Sequence, residues 1–396
     1  MEQVFFVVEN YIPRMSGVPI VVQYLAEGLA QQGYNVTICT RLYKGLPRQE
    51  IINGVQVYRF DIRKTMMKRY VGEIDQYRNF ILSSHIDVLI CECSECSTTD
   101  ILLKDLHKIK AKKIFHSHGF AGMRLKFLKW NTNLKYTLGN TYNWLRFKWY
   151  YNITFKKYIQ DFDVALCLSD VDSSKKWLEK NSKKVIVLQN AVNDIFYNST
   201  SNQQIYPAIA DLNKNYLLCV ATYSKQKNQI DIVKEYFKTK TDYALVFIGP
   251  EENEYYHLLK KEISNLEKFY GHRDILTLTH VPRSFIPNII GNASLYLVGS
   301  RFEEYSISLI ETMAKGIPFI STNVGNACIL PGGITINKIS EMHNQIDNLL
   351  KDKEKYEQLS RLGKAFVEEN CRINKAVKLL SSIIKSEKCN HPKLAY

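Results

Sequence analysis

The sequence predicts an α/β protein of two doubly wound domains, and three observations carry that expectation. Short apolar runs alternate with amphipathic stretches along nearly the whole chain, the pattern of parallel strands each followed by a helix that covers the sheet. At 396 residues the chain is too long for one ordinary core and suits two α/β domains of similar size, with a cleft between them. The alternation breaks at the polar, acid-poor stretch Asn198 to Gln204 and then resumes, which places the domain boundary near residues 195–205.

The elements follow in order. Val4 to Val8 reads as a buried strand, Ile20 to Gln32 as an amphipathic helix ended by Gly33, and Asn35 to Thr40 as a second strand. Further strands are predicted at Val55 to Phe60, Asp87 to Cys91, Lys113 to His116, Val164 to Leu168 and Val185 to Leu188, with helical stretches at Thr99 to Lys108 and Ser173 to Lys180. After the boundary come strands at Tyr216 to Val220, Ala244 to Ile248, Thr277 to Thr279, Leu295 to Val298 and Pro318 to Ile320, then a charged helical end. No internal repeat is visible.

Composition narrows the class. Hydrophobic residues make up 45% and charged residues 23%, which suits a globular chain and argues against a disordered or membrane-spanning one. The apolar run at Val4 is short for a secretory signal and is preceded by Glu2, so a cytoplasmic location is expected. The nine cysteines lie mostly in apolar strand-like runs, where a reduced thiol acts as a small hydrophobe. A net charge of +14 leaves nucleic acid, an anionic membrane face and an anionic substrate open as partners.

The richest segment is Ser300 to Ile320, read as loop, helix, turn and strand: Glu303 and Glu304 precede a helix from about Ile307, Gly316 stops it, and Pro318 opens a strand. With Glu303 in the loop and Glu311 two turns into the helix, both carboxylates can face one crevice. The free N–H groups of Ser306, Ile307, Ser308 and Leu309 would point at an anion there, and a diphosphate fits. The competing reading, a surface carboxylate plus a half-buried helix residue, leaves this whole context unexplained.

This segment resembles the signature of two glutamates seven residues apart that marks retaining glycosyltransferases of family 4, which have the GT-B fold: two Rossmann-like domains facing a central cleft. The resemblance extends from the first strand to about residue 335. It implies that Glu303 contacts the donor sugar near its reacting carbon, that Glu311 holds the ribose of the nucleotide, and that Tyr305 to Leu309 belong to the donor site. After the strand at Leu217, Lys227 matches the family's diphosphate lysine. Thr222 stands where an arginine is usual, so one charge of the clamp is either missing or supplied by Lys225 or Arg301. Gly249 would let a ligand approach the backbone, and the backbone around Val281, in the loop His280 to Pro287, would pair with the base. Gly17, preceded by Arg14 and Ser16, stands where the family has a glycine pair reaching the donor phosphate. His118 aligns with a cleft histidine near the donor sugar.

Two segments invite a metal reading. His116 and His118 are two residues apart without a carboxylate cluster beside them in sequence, and Cys91-Glu-Cys-Ser-Glu-Cys96 lacks a second pair of ligands at a recognisable spacing. Neither is taken as a metal site, and no cofactor is expected beyond the nucleotide-sugar substrate. From Arg124 to Lys157 the chain carries basic residues interleaved with aromatics and no acid. Lys126, Lys129, Arg146 and Lys148 are expected to dock on an anionic membrane beside the acceptor, in preference to a solvated face over core aromatics or a single-stranded nucleic-acid site.

The sequence therefore points to an acceptor-binding domain at residues 1–195, a nucleotide-sugar domain at 205–375, and a helical tail at 376–396 that packs back on the first domain. The expected activity is transfer of a sugar, with retention, from a nucleotide-diphosphate donor to a glycan or lipid-linked glycan acceptor in polysaccharide assembly at the inner face of the cytoplasmic membrane. A phosphorylase, a nucleotide-sugar epimerase and a non-catalytic polymer-binding protein are the alternatives.

Overall fold

A computed structural model describes residues 1–13, 17–65, 70–120, 134–197 and 206–386, with the side chains of 134–138 and 140 excepted. The chain divides into one unit formed by residues 1–190 and 373–396 and a second formed by residues 191–372.

The first unit is built on strands β1 (Gln3–Val7), β2 (Asn35–Arg41), β3 (Gln49–Ile52), β4 (Val55–Phe60), β7 (Val88–Glu92), β8 (Lys112–His116), β9 (Val164–Cys167) and β10 (Val185–Val187), with a separate ribbon of β5 (Ile62–Lys64) and β6 (Tyr70–Gly72). The sheet order is β10-β9-β8-β7-β1-β2-β4-β3, and every pairing is parallel except β3 with β4. Strand β1 is buried from Val4 to Val7, as a sheet covered on both faces requires. Helices α1 (Gly17–Gln31), α2 (Ile74–Ser83), α3 (Ser97–Asp100), α4 (Leu134–Trp149) and α5 (Lys175–Asn181) punctuate the strands.

Three differences from the sequence reading have local causes. Strand β3 escapes an apolar-run criterion because it is a half-exposed edge, joined to β4 by Asn53 and Gly54 with φ of 50° and 83°, a tight turn that twists with the strands. The predicted helix over Thr99 to Lys108 splits into α3 and a 3-10 turn at Leu103–Lys108. The β5–β6 ribbon is too short and polar to show a period.

In the second unit, β11 (Tyr216–Val220), β12 (Ala244–Gly249), β13 (Ile275–Thr279), β14 (Leu295–Val298), β15 (Phe319–Thr322) and β16 (Gly333–Ile336) form an all-parallel sheet in the order β13-β12-β11-β14-β15-β16. This is the 3-2-1-4-5-6 order of a nucleotide-binding doubly wound sheet. Strand β16, not anticipated, packs through Gly333, where an added Cβ would lie 2.4 Å from the Phe319 ring. Helices α6 (Pro207–Ala210), α7 (Gln229–Tyr236), α8 (Glu254–Tyr270), α9 (Ile286–Gly291), α10 (Ile307–Ala314), α11 (Met342–Lys351) and α12 (Lys353–Asn370) complete it. Each unit has its own apolar core.

The last helix, α13 (Ile373–Lys385), belongs to the first unit. It lies against α1 where Gly28 leaves room: a Cβ there would meet Val377 Cγ2 at 2.4 Å. The buried Lys112 ammonium donates to the carbonyl oxygens of Ile384 at 3.3 Å and Ser386 at 2.6 Å, placing a cation on the orphan acceptors at the negative end of α13.

Candidate active site

In the second sheet β11 is flanked by β12 on one side and β14 on the other. The connections after β11 and after β14 therefore run in opposite directions, which opens a crevice at their carboxyl ends. A pocket lies there, lined by Val220 at the end of β11 and Ala221 after it, Gly299 and Ser300 after β14, Lys227, Glu303, and Ser306 and Ser308 at the start of α10.

Two loops bring these groups together. Asn228, left-handed at φ 60°, turns the chain into α7, and the Lys227 amide donates to Ser224 Oγ at 3.2 Å. The Arg301 amide donates to the Gln226 carbonyl at 2.8 Å, and the Gln226 side chain returns a hydrogen bond to the Phe302 carbonyl at 3.0 Å. Gly299 permits this approach, since a Cβ would stand 2.7 Å from Ile232. As a result Lys227 Nζ reaches Glu303 Oε1 at 2.5 Å, and Ser300 Oγ donates to the same oxygen at 2.6 Å. A further support escaped the sequence reading. Gly325, at φ 55°, lies so close beneath the glutamate loop that a Cβ would stand 2.8 Å from the Glu304 carbonyl, and the signal for it was only a glycine after a strand.

Ser306 is the boundary residue of α10 and makes no side-chain cap, so the first-turn amides of Ile307, Ser308 and Leu309 retain the orphan donors of a helix start. The Ser306 amide is not among them, because it donates to Asn326 Oδ1 at 2.8 Å. The Tyr305 side chain turns into the core, its hydroxyl 3.8 Å from Cys371 Sγ. Glu311 also departs from expectation: it is buried, absent from the pocket lining, and ion-paired with Arg283. Burial raises its pKa and the guanidinium opposes that rise. Sequence placed both glutamates in one crevice; each instead has its own cation, because only the loop glutamate comes within reach of Lys227. Arg283 itself sits in the segment singled out for Val281, whose half-buried backbone follows left-handed His280, φ 56°.

The remaining donor candidates scatter. Thr222 and Lys225 are exposed, and the Thr222 carbonyl accepts from Gln229 Nε2 at 3.1 Å. Arg301 directs its guanidinium to Asn228 Oδ1 at 3.1 Å and Asp231 Oδ2 at 3.4 Å. None of the three lines the pocket, where Lys227 is the cation among the described residues. Gly249 is needed for packing: a Cβ would meet the Tyr223 ring at 2.4 Å, so that ring covers the backbone expected to receive a ligand.

In the first unit Gly17 opens α1 with nothing within 4 Å of where a Cβ would be; Arg14 and Ser16 lie outside the described residues. His118, left-handed at φ 52°, contacts Glu92 Oε2 through Nε2 at 2.5 Å. His116 Nδ1 lies 3.0 Å from the same oxygen. The carboxylate thought to be missing beside the histidines thus comes from the cysteine-rich segment, because β7 and β8 are neighbours with Glu92 opposite His116. Burial would raise Glu92, yet the two imidazoles hold its pKa at about 2. Burial and the adjacent His116 push His118 below the ordinary histidine value. Cys93 and Glu95, with φ of 62° and 59°, crowd left-handed backbone at this strand end, a cost proteins tend to concentrate at functional sites.

The basic, aromatic segment divides. Lys126 and Lys129 lie outside the described residues. Arg146 is committed to Glu95, with a second arm at 3.0 Å, which removes it from the expected docking set. Tyr150, Tyr151 and Phe155 are core residues. By contrast Tyr142, Leu145, Trp149 and Ile153 are 67%, 55%, 59% and 48% exposed, at a spacing that puts them on one helical face. Lys148 lies over the Trp144 ring at 4.6 Å.

Residues 202–366 match the family model for glycosyl transferases group 1, and residues 15–194 that for Glycosyltransferase Family 4. No curated protein matches the chain in sequence. Among solved structures it is similar to the sucrose-phosphate synthase of Thermosynechococcus elongatus, at 14% identity with a TM-score of 0.76, over 97% of this chain and 98% of that one. It is also similar to Anabaena HepE in complex with UDP-glucose, at 13% identity and a TM-score of 0.72, over 98% and 100%. A glycosyltransferase from Rickettsia africae matches at 16% identity and a TM-score of 0.69, over 97% and 98%.

Proposed function

On the premise that this chain is a glycosyltransferase of family 4 with the GT-B fold, we propose that it transfers a sugar from a nucleotide-diphosphate donor, with retention at the anomeric carbon, to a glycan or lipid-linked glycan. The observation that carries the proposal is the direct contact of Lys227 with Glu303 at the mouth of β11 and β14, beside the uncapped start of α10. HepE, of the same fold, is described with UDP-glucose, which supports a nucleotide sugar as the donor.

In this reading the diphosphate lies against the amides of Ile307, Ser308 and Leu309, with Lys227 offsetting the charge that grows on the leaving oxygen. Lys227 and a helix start do this work without a metal at the diphosphate. Glu303, held by Lys227 and Ser300, hydrogen-bonds the donor sugar near its reacting carbon. The bond from that carbon to the diphosphate oxygen breaks as the acceptor oxygen forms its bond on the same face, and the acceptor proton passes to the departing diphosphate. Glu311, buried outside the pocket lining with Arg283 as its counter-charge, receives the ribose once that ion pair opens.

The acceptor reading assigns polysaccharide assembly at the inner face of the cytoplasmic membrane. Its support is the apolar stripe Tyr142, Leu145, Trp149 and Ile153 with exposed Lys148, Lys156 and Lys157 around it, a composition suited to an anionic interface. Turnover assays with a panel of nucleotide sugars test the enzyme. Lys227→Ala and Glu303→Ala should each lower turnover by roughly 100-fold or more while circular dichroism stays native. Near-wild-type turnover would refute both roles, and free sugar phosphate from donor alone would point to a phosphorylase instead.

A further inference from the structure

We propose that the first unit binds a divalent transition-metal ion, best matched by Zn²⁺, on Glu92, His116 and His118. Two segments that each lack a full ligand set in sequence complete one another in space. Glu92 ends β7, His116 ends β8 directly opposite it, and His118 follows two residues later. One ligand atom from each lies within 4.8 Å of the others. Tetrahedral Zn²⁺ with bonds near 2.1 Å needs ligand atoms roughly 3.4 Å apart. Glu92 Oε2 stands 2.5 Å from His118 Nε2 and 3.0 Å from His116 Nδ1, so small side-chain rotations admit an ion.

The burial of the group gives the second line of support. Glu92 and His116 are 0% and 1% exposed. Among the described residues Glu92 Oε1 and both His116 ring nitrogens have no hydrogen-bond partner, because the 3.0 Å approach of His116 to Glu92 is misaligned for a hydrogen bond. Buried polar atoms are seldom left unsatisfied, because burial strips their water without replacing its hydrogen bonds. A cation bound by the carboxylate and one nitrogen of each imidazole gives His116 Nδ1 a partner, and a chelating carboxylate brings Glu92 Oε1 onto the ion as well. Two nitrogens and one carboxylate suit zinc among available metals, and hard Mg²⁺ poorly. Three protein ligands leave a fourth position for water or a substrate hydroxyl. The ion would tie the ends of β7 and β8 together and hold His118 in its left-handed conformation.

Metal analysis of the full chain tests this without an activity assay. Protein produced in zinc-supplemented medium and desalted should carry about one zinc per chain. After treatment with dipicolinate its melting temperature should fall, and Zn²⁺ should restore it where Mg²⁺ does not. Co²⁺ added to the stripped protein should give the visible absorption of a tetrahedral nitrogen and oxygen site. Glu92→Gln and His118→Ala should weaken Zn²⁺ binding by more than about 100-fold, since loss of even an outer-shell partner costs about 10- to 100-fold; Cys93→Ser should not. Wild-type protein that neither retains zinc nor takes up Zn²⁺ or Co²⁺ after stripping would overturn the proposal, leaving a hydrogen-bonded cluster only. Equal zinc uptake by the ligand variants would overturn it too, by placing the ion elsewhere. The wild-type titration decides even where a variant fails to fold.

Discussion

Asp100 is a carboxylate whose ionisation should be visible in stability. Burial raises its pKa to about 6, against the opposing hydrogen bonds from the Tyr150 and Tyr70 hydroxyls at 2.7 and 2.8 Å. A folded-state pKa above the unfolded value of 3.8 means the native state holds the proton more tightly. Its contribution is therefore complete below about pH 4 and is lost as pH rises through 6. Two pKa units correspond to about 3 kcal/mol as an upper bound. Subtracting the denaturation free energies of Asp100→Asn from those of wild type across this window should leave a difference that declines with rising pH. A flat difference would contradict the assignment. The same scale explains the donor site: Glu303 could be picked from its place in the loop before a helix start, and Lys227 from the family resemblance of the segment that follows the Leu217 strand. Arg283 could not, because its partner Glu311 is 28 residues away and nothing in the intervening sequence specifies that contact.

Helix α4 and the turns that follow it show how one element can serve two ends. Arg146 faces inward to Glu95, and Tyr150, Tyr151 and Phe155 build the core, while Leu145 and Trp149 face water. Substituting both exposed residues, Leu145→Ser with Trp149→Ser, should weaken co-sedimentation with anionic vesicles by roughly 10-fold or more, given about 1.5–3 kcal/mol for each large side chain fully buried. Arg146→Ala should leave vesicle binding unchanged and lower the melting temperature, because it strands Glu95. Undiminished vesicle binding by the double variant would remove the membrane role. The sequence showed that basic and aromatic residues interleave here; which of them point outward depended on how Tyr150, Tyr151 and Phe155 pack into the core of the first unit.

At the scale of the whole chain the first unit is closed by a segment remote in sequence. Val377, Leu380, Ile383 and Ile384 of α13 are buried, each worth about 1.5–3 kcal/mol, and Lys112 depends on the carbonyls of that helix. Ending the chain after Arg372 should therefore expose residues 1–190 to limited proteolysis and leave 191–372 protected. Equal resistance of both regions would show that α13 is dispensable. Alternating apolar runs and amphipathic stretches are enough to define two doubly wound sheets and most of their strands, since that patterning is a property of neighbouring residues. They also define the loop-helix start at Glu303 to Leu309, where spacing alone sets which groups share a helix turn. Long-range decisions were left to the tertiary structure: that Glu303 takes Lys227 and Glu311 takes Arg283, that the Tyr223 ring covers Gly249, and that Glu92 joins the two histidines. Each is fixed by strand order and close packing between segments far apart along the chain, and burial decides there which charge meets which.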